Sequence, residues 1–190
     1  VFLPSRYEKK HHNATRDTIL KIKTDAVVVV INGTDKTLTW EGPDGRQKAH
    51  LTGKLKEKQV ELSVEISGIL VENDLLDRPL VITGFICLTM GQTFTHELIG
   101  PFTSAIFLSH VFGMDPDDLY QLVARLFGRM KRWSTYVKTK VYSRDSEAIE
   151  AICFDSENAV KNMLDLHSGE SVGLECYDRS SPKVRQPFRT

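Results

Sequence analysis

The stretch KQVELSVEISGILV, residues 58–71, decides the reading of the fold. Val60, Leu62, Val64 and Ile66 alternate with Glu61, Ser63, Glu65 and Ser67. A strand sends successive side chains to opposite faces, so this pattern predicts a strand with one face buried and one wet. Strands of that kind belong to antiparallel sheets, because parallel sheets are covered on both faces.

Working outward, TILKIKTDAVVVVING (18–33) is β-branched, apolar and closed by Asn-Gly, which predicts a second strand. TLTWEGPDGRQKAHL (37–51) predicts a hairpin. Its Gly-Pro-Asp-Gly puts Pro43 where a type I turn wants φ near −65°, with Gly45 just after it. On the other side of the acidic loop ENDLLDR, PLVITGFICLTM (79–90) is a continuous apolar run and reads as a central strand.

The second half changes character. THELIGPFTSAIFLSHVFG (95–113) is expected to be a buried helix opened by Pro101. DPDDLYQLVARLFGRMKRW (115–133) carries the marks of a helix: Asp115 as N-cap, Pro116 at the first helical position, and an apolar stripe of Leu119, Leu122, Val123, Leu126, Phe127 and Met130. TYVKTKVYS (135–143) alternates like a strand, 156–169 reads as a short capped helix and 171–177 as a last strand. Residues 1–17 are polar and basic and read as an N-terminal arm; 178–190, with two prolines and no apolar period, read as a C-terminal arm. The expected fold is one α+β domain over 18–177, a mainly antiparallel sheet packed with two to three helices, and polar arms at both termini.

Bulk properties narrow the function. The 190 residues suit one domain, and 41% hydrophobic with 26% charged residues is ordinary for a globule with a core. Twenty-five basic and 25 acidic residues balance, which argues against a protein that coats nucleic acid with its whole surface. Cys87, Cys153 and Cys176 are an odd number set far apart, so they read as buried free thiols in a reducing compartment, not a disulfide framework. The triplets at Asn13 and Asn32 fit the N-glycosylation pattern and point the other way, but so short a motif recurs by chance. No run of some 18 apolar residues predicts a transmembrane helix, and the apolar run in VFLPSRYEKK is too short for a signal peptide. The localisation expected is therefore intracellular: cytoplasmic, membrane-associated or in a virion.

The common zinc, phosphate-loop and dinucleotide motifs are missing from the sequence. His96-Glu97-Leu-Ile-Gly100 lacks the second histidine of the H-E-x-x-H zinc motif. There is no Cys-x-x-Cys, P-loop or G-x-G-x-x-G. The acidic groups Glu72, Asp74, Asp77 and Asp115, Asp117, Asp118 read as a solvated turn and a helix start. The expectation is no enzymatic activity, no cofactor and no metal.

One feature stands out. From Leu119 to Ser143 there is no Asp or Glu, while Arg125, Arg129, Lys131, Arg132, Lys138 and Lys140 crowd together with Tyr136 and Tyr142. Arginine holds phosphate through two N–H groups, and tyrosines on a sheet face can stack bases. These eight residues form the candidate polyanion-binding face. A solvated helix face with internal salt bridges explains the same charges without a ligand. The functional expectation is a structural or assembly protein of virus matrix- or coat-like character, a homo-oligomer that binds RNA or an anionic membrane; an acidic protein partner is a further candidate. A stand-alone RNA-binding regulator and an enzyme of unrecognised class are the alternatives.

Overall fold

The computed structural model describes residues 1–6, 8–33, 36–55, 58–84, 94–107, 134, 137–143, 150 and 154. Its elements run β1 (Phe2–Pro4), α1 (Lys9–Ile22), β2 (Val27–Ile31), β3 (Lys36–Gly42), β4 (Gly45–His50), β5 (Lys54–Leu55), β6 (Lys58–Gln59), α2 (Leu62–Glu72), β7 (Leu80–Gly84), β8 (Ser104–Phe107) and β9 (Lys140–Ser143).

A seven-stranded sheet in the order β4-β3-β2-β7-β1-β8-β9 carries the fold, and β5-β6 form a separate small hairpin. The pairs β2–β7, β7–β1, β1–β8 and β8–β9 are parallel; β2–β3 and β3–β4 are antiparallel. The architecture is α+β in the broad sense, but the sheet is mixed, which corrects the mainly antiparallel expectation.

The error traces to 58–71. Apart from the two residues of β6, this stretch holds α2, not a strand. Leu62, Ile66 and Leu70 are buried at helical spacing, whereas Val60 and Val64 are only half-buried. Leu62, Ser63, Ile66, Ser67 and Leu70 satisfy a 3.6-residue period as well as alternation satisfies a period of two. Glu65, counted on the wet face of a strand, is buried because its carboxylate has partners. It accepts from the Thr52 N–H (2.8 Å), the Thr52 hydroxyl (3.1 Å) and the Gly53 N–H (2.7 Å). Gly53 sits at φ +73°, a conformation that favours glycine. Replacing Glu65 with Ala is expected to cost about 2–4 kcal/mol, since it orphans two backbone donors and a hydroxyl. A urea melt measures this, and an unchanged midpoint refutes the role assigned to the carboxylate.

Two apolar layers sandwich the sheet. On one face Val27, Val29, Ile31, Leu38 and Ile82 join Leu62, Ile66 and Leu70 of α2, together with Phe2, Phe102 and Phe107. On the other, Val28, Val30 and Val81 meet Leu20 and Ile19 of α1. The VVVVI of β2 is buried at every position, as a strand covered on both faces must be. The 18–33 strand expectation is thereby shortened to 27–31, its first residues belonging to α1.

The β3–β4 hairpin forms as the sequence predicts: Gly42 pairs with Gly45 across Pro43 and Asp44, and Gly45 takes φ +103°. The segment 1–17, expected as an arm, instead holds β1 and the first turns of α1, with Phe2 fully buried. The helix expected over 95–113 is replaced in its described part by an isolated bridge, His96 to Gly100, and by β8. The expected elements 115–133, 156–169 and 171–177, the arm 178–190, and all three cysteines lie outside the described residues.

Candidate functional site at the carboxyl edge of the sheet

Strand order locates one crevice. The connection leaving β1 runs through α1 to β2, on one side; among the described residues the next strand after β8 is β9, on the other. β1 and β8 are parallel neighbours, so their carboxyl ends lie where the chain diverges. In open α/β sheets, ligands bind in the gap such divergence leaves.

The residues that follow β1 lead from this edge into α1. The Ser5 N–H donates to the Gly84 carbonyl (2.7 Å), which carries the β1–β7 pairing one residue further. The Ser5 and Thr15 hydroxyls are 3.0 Å apart, tying the exit of β1 to α1. His12, in the first turns of α1, places Nε2 2.6 Å from the Arg6 carbonyl. These contacts set the N-terminal turn of α1 directly at the edge.

That turn is electropositive. It contains no acidic residue, and its N-cap, Glu8, makes no side-chain capping bond. The Glu8 carboxylate pairs instead with Lys10 and approaches His11 Nε2 at 3.7 Å. Lys10, and to a lesser degree His11 and Arg6, hold it below the usual carboxylate range. Arg6, Lys9 and Lys10 are exposed around the positive end of the helix. A second helix start, that of α2, borders an open groove of about 440 Å³ lined by Thr52, Gly53, Lys54, Gln59, Val60 and Glu61.

His12 falls in the segment expected as a polar arm, yet it is only 3% exposed. Burial pushes its proton affinity down, partly offset by the bond to the Arg6 carbonyl. Its folded pKa thus lies below the unfolded value, so between the two the unfolded chain binds more protons. Stability is expected to fall as pH drops from about 6.5 toward the folded pKa. Thermal melts from pH 7.5 to 5 check this, with His12→Asn expected to flatten the decline.

Of the eight residues of the sequence-derived polyanion face, Lys138, Lys140 and Tyr142 are described, and all three are exposed. Lys140 pairs with Ser104, at the start of β8, and so lies at the opposite end of the strands from the crevice. The expected alternation along 135–143 is not seen in β9, where Val141 (37%) and Tyr142 (54%) are both exposed. Arg125, Arg129, Lys131, Arg132 and Tyr136 lie outside the described residues.

Sequence reasoning missed the β1–α1 exit. The signal is the spacing of His12, Thr15, Ile19 and Leu20, which turns one face of α1 to the sheet. Half of that face is polar, so it does not register as a hydrophobic stripe. The near-motif His96-Glu97 is on no helix: the Gly100 N–H closes a turn onto the His96 carbonyl (2.8 Å). Among the described residues no group of three His, Cys, Asp or Glu side chains could hold a metal ion, and no helix is long and apolar enough to cross a membrane. No protein-family model, curated protein or solved structure matches the chain.

Proposed function

We propose that this protein is a non-catalytic binding domain for a phosphate-bearing polyanion, seated at the carboxyl ends of β1 and β8. The observation that carries the reading is the strand order, with its divergence between β1 and β8 at the foot of a helix start rich in cations. Backbone N–H groups at a helix start, backed by arginine and lysine, suit phosphate oxygens and repel cations. RNA and an anionic membrane surface present the same phosphate chemistry.

The test is Arg6→Glu, Lys9→Glu and Lys10→Glu combined, assayed against a short RNA and against phosphatidylserine vesicles at several salt concentrations. The parent is expected to bind one of the two with a log affinity falling by roughly 0.7–0.9 per log salt for each phosphate neutralised. The triple variant should lose that binding and keep its fold. A parent that binds neither at low salt refutes the reading.

A second reading keeps the assembly role and the basic face of the sequence, and rests on the exposure of Lys138 just before β9 and of Lys140 and Tyr142 within it, β9 being an edge strand among the described residues. It predicts that Lys138→Glu with Lys140→Glu removes polyanion binding or salt-dependent self-association, while the Arg6–Lys10 changes leave both intact. Binding assays and light scattering on the two variants separate the readings.

A further inference from the structure

We propose that His12 couples anion binding at the β1/β8 crevice to the uptake of one proton. The inference rests on the phosphate-binding reading above and adds a control to the same site.

The geometry begins with the ring. A carbonyl oxygen only accepts, so the 2.6 Å contact to Arg6 puts the hydrogen on His12 Nε2. The neutral ring then carries its lone pair on Nδ1, and that atom is buried with no hydrogen-bond partner. The hydroxyl of Thr83, on β7, is buried without a partner too. Thr83 precedes Gly84, whose carbonyl receives the Ser5 N–H, and Ser5 touches Thr15, three residues beyond His12 on α1. His12 Nδ1 and the Thr83 hydroxyl are thus two unmet groups on the α1 side of the sheet, where the Thr39 hydroxyl of β3 is a third, and buried groups of this kind are uncommon enough to require a reason.

A proton on Nδ1 is what the ring can still accept. Burial and the positive end of α1 oppose it, and Arg6, Lys9 and Lys10 are the exposed cations on that turn. Glu8, the N-cap, is the acid next to that turn, and Lys10 and His11 already engage it. From β1 and β7 the described neighbours, Ser5 and Thr83, carry no charge. An anion docked at the helix start reverses the local field and lowers the cost of the imidazolium. The proton comes from solvent and rests on Nδ1; no covalent bond between heavy atoms changes. Linkage is reciprocal, so the same coupling appears as tighter anion binding at lower pH.

The experiment titrates the full chain with sulfate and with dimethyl phosphate, neither of which changes protonation near neutrality. Calorimetry at pH 5.5 and 7.5, in two buffers of different ionisation heat, reads affinity and proton uptake together. Affinity at pH 5.5 is expected to be about fivefold or more above that at pH 7.5. Uptake should approach one proton per anion at the lower pH and vanish in His12→Asn. The ring resonances of His12 in the unsubstituted protein give a second measure: sulfate should raise their titration midpoint. Binding with equal affinity and no buffer-dependent heat, or a midpoint that sulfate does not move, overturns the coupling and leaves the crevice reading standing. If neither anion binds at either pH while short RNA also fails to bind, it is the crevice reading that falls, and the coupling with it.

Discussion

Ile66→Asp is expected to abolish folding. Ile66 is fully buried in the core cluster between α2 and the sheet, with Leu62 and Leu70 one turn to either side. An aspartate there sits among the apolar side chains of that cluster, and even taken up as the neutral acid it costs several kcal/mol on top of the lost isoleucine packing, a large share of the 5–15 kcal/mol that holds a typical domain together. The informative comparison is Val64→Asp. On a strand, positions 64 and 66 share a face and the two changes would be equally damaging. On α2 they point about 200° apart, and Val64 is only half-buried. Val64→Asp is therefore expected to leave a folded protein, its midpoint lowered by a modest amount, where Ile66→Asp leaves none. Circular dichroism melts of both variants decide it: equal damage restores the strand.

That contrast also shows why part of the fold was legible in the sequence and part was not. The β3–β4 hairpin is written locally, in Pro43 and Gly45, whose backbone preferences need no partner to express themselves. β2 and β7 were legible as strands because the unbroken VVVVI of β2 and the apolar Leu-Val-Ile that opens β7 suit a sheet buried on both faces. α2 was not, since Leu62 and Ile66 fit either period, and only Glu65, buried against Thr52 and Gly53, breaks the tie. That contact spans a dozen residues, and a local pattern cannot contain it. Misreading α2 removed the crossover that makes β2 and β7 parallel, and with it any view of the strand order on which the candidate site depends. The site was hidden for a related reason. Arg6, Lys9 and Lys10 look like a solvated arm until β1 is placed inside the sheet, and the basic tract of 125–140 drew attention because its charges are consecutive in sequence. Lys138, Lys140 and Tyr142 proved exposed, as a binding face requires, yet exposure alone does not choose between a ligand and water.

The placement of β1 is what the remaining large effect tests. Phe2→Ala is expected to cost about 3–5 kcal/mol, the usual range for deleting a buried aromatic side chain. In a chain of this size that lowers the melting temperature by roughly 10 °C. Phe2 is fully buried, its ring set edge-on to Phe102 at 5.3 Å and to Phe107 at 6.5 Å. Phe2 pairs with Ile82 on one side and Ala105 on the other, so the strand it anchors is the only link between β7 and β8 among the described residues. A cavity at Phe2 loosens both pairings at once, and it does so beneath the exit of β1, where Ser5 and Arg6 lead into α1. Anion binding should therefore weaken along with stability, in contrast to Arg6→Ala, which removes an exposed cation and should weaken binding while the midpoint stays within about 0.5 kcal/mol of the parent. Were 1–17 a solvated arm, the order would reverse: Phe2→Ala would be silent in a urea melt. An unchanged midpoint for Phe2→Ala removes β1 from the sheet, and the β1/β8 crevice goes with it.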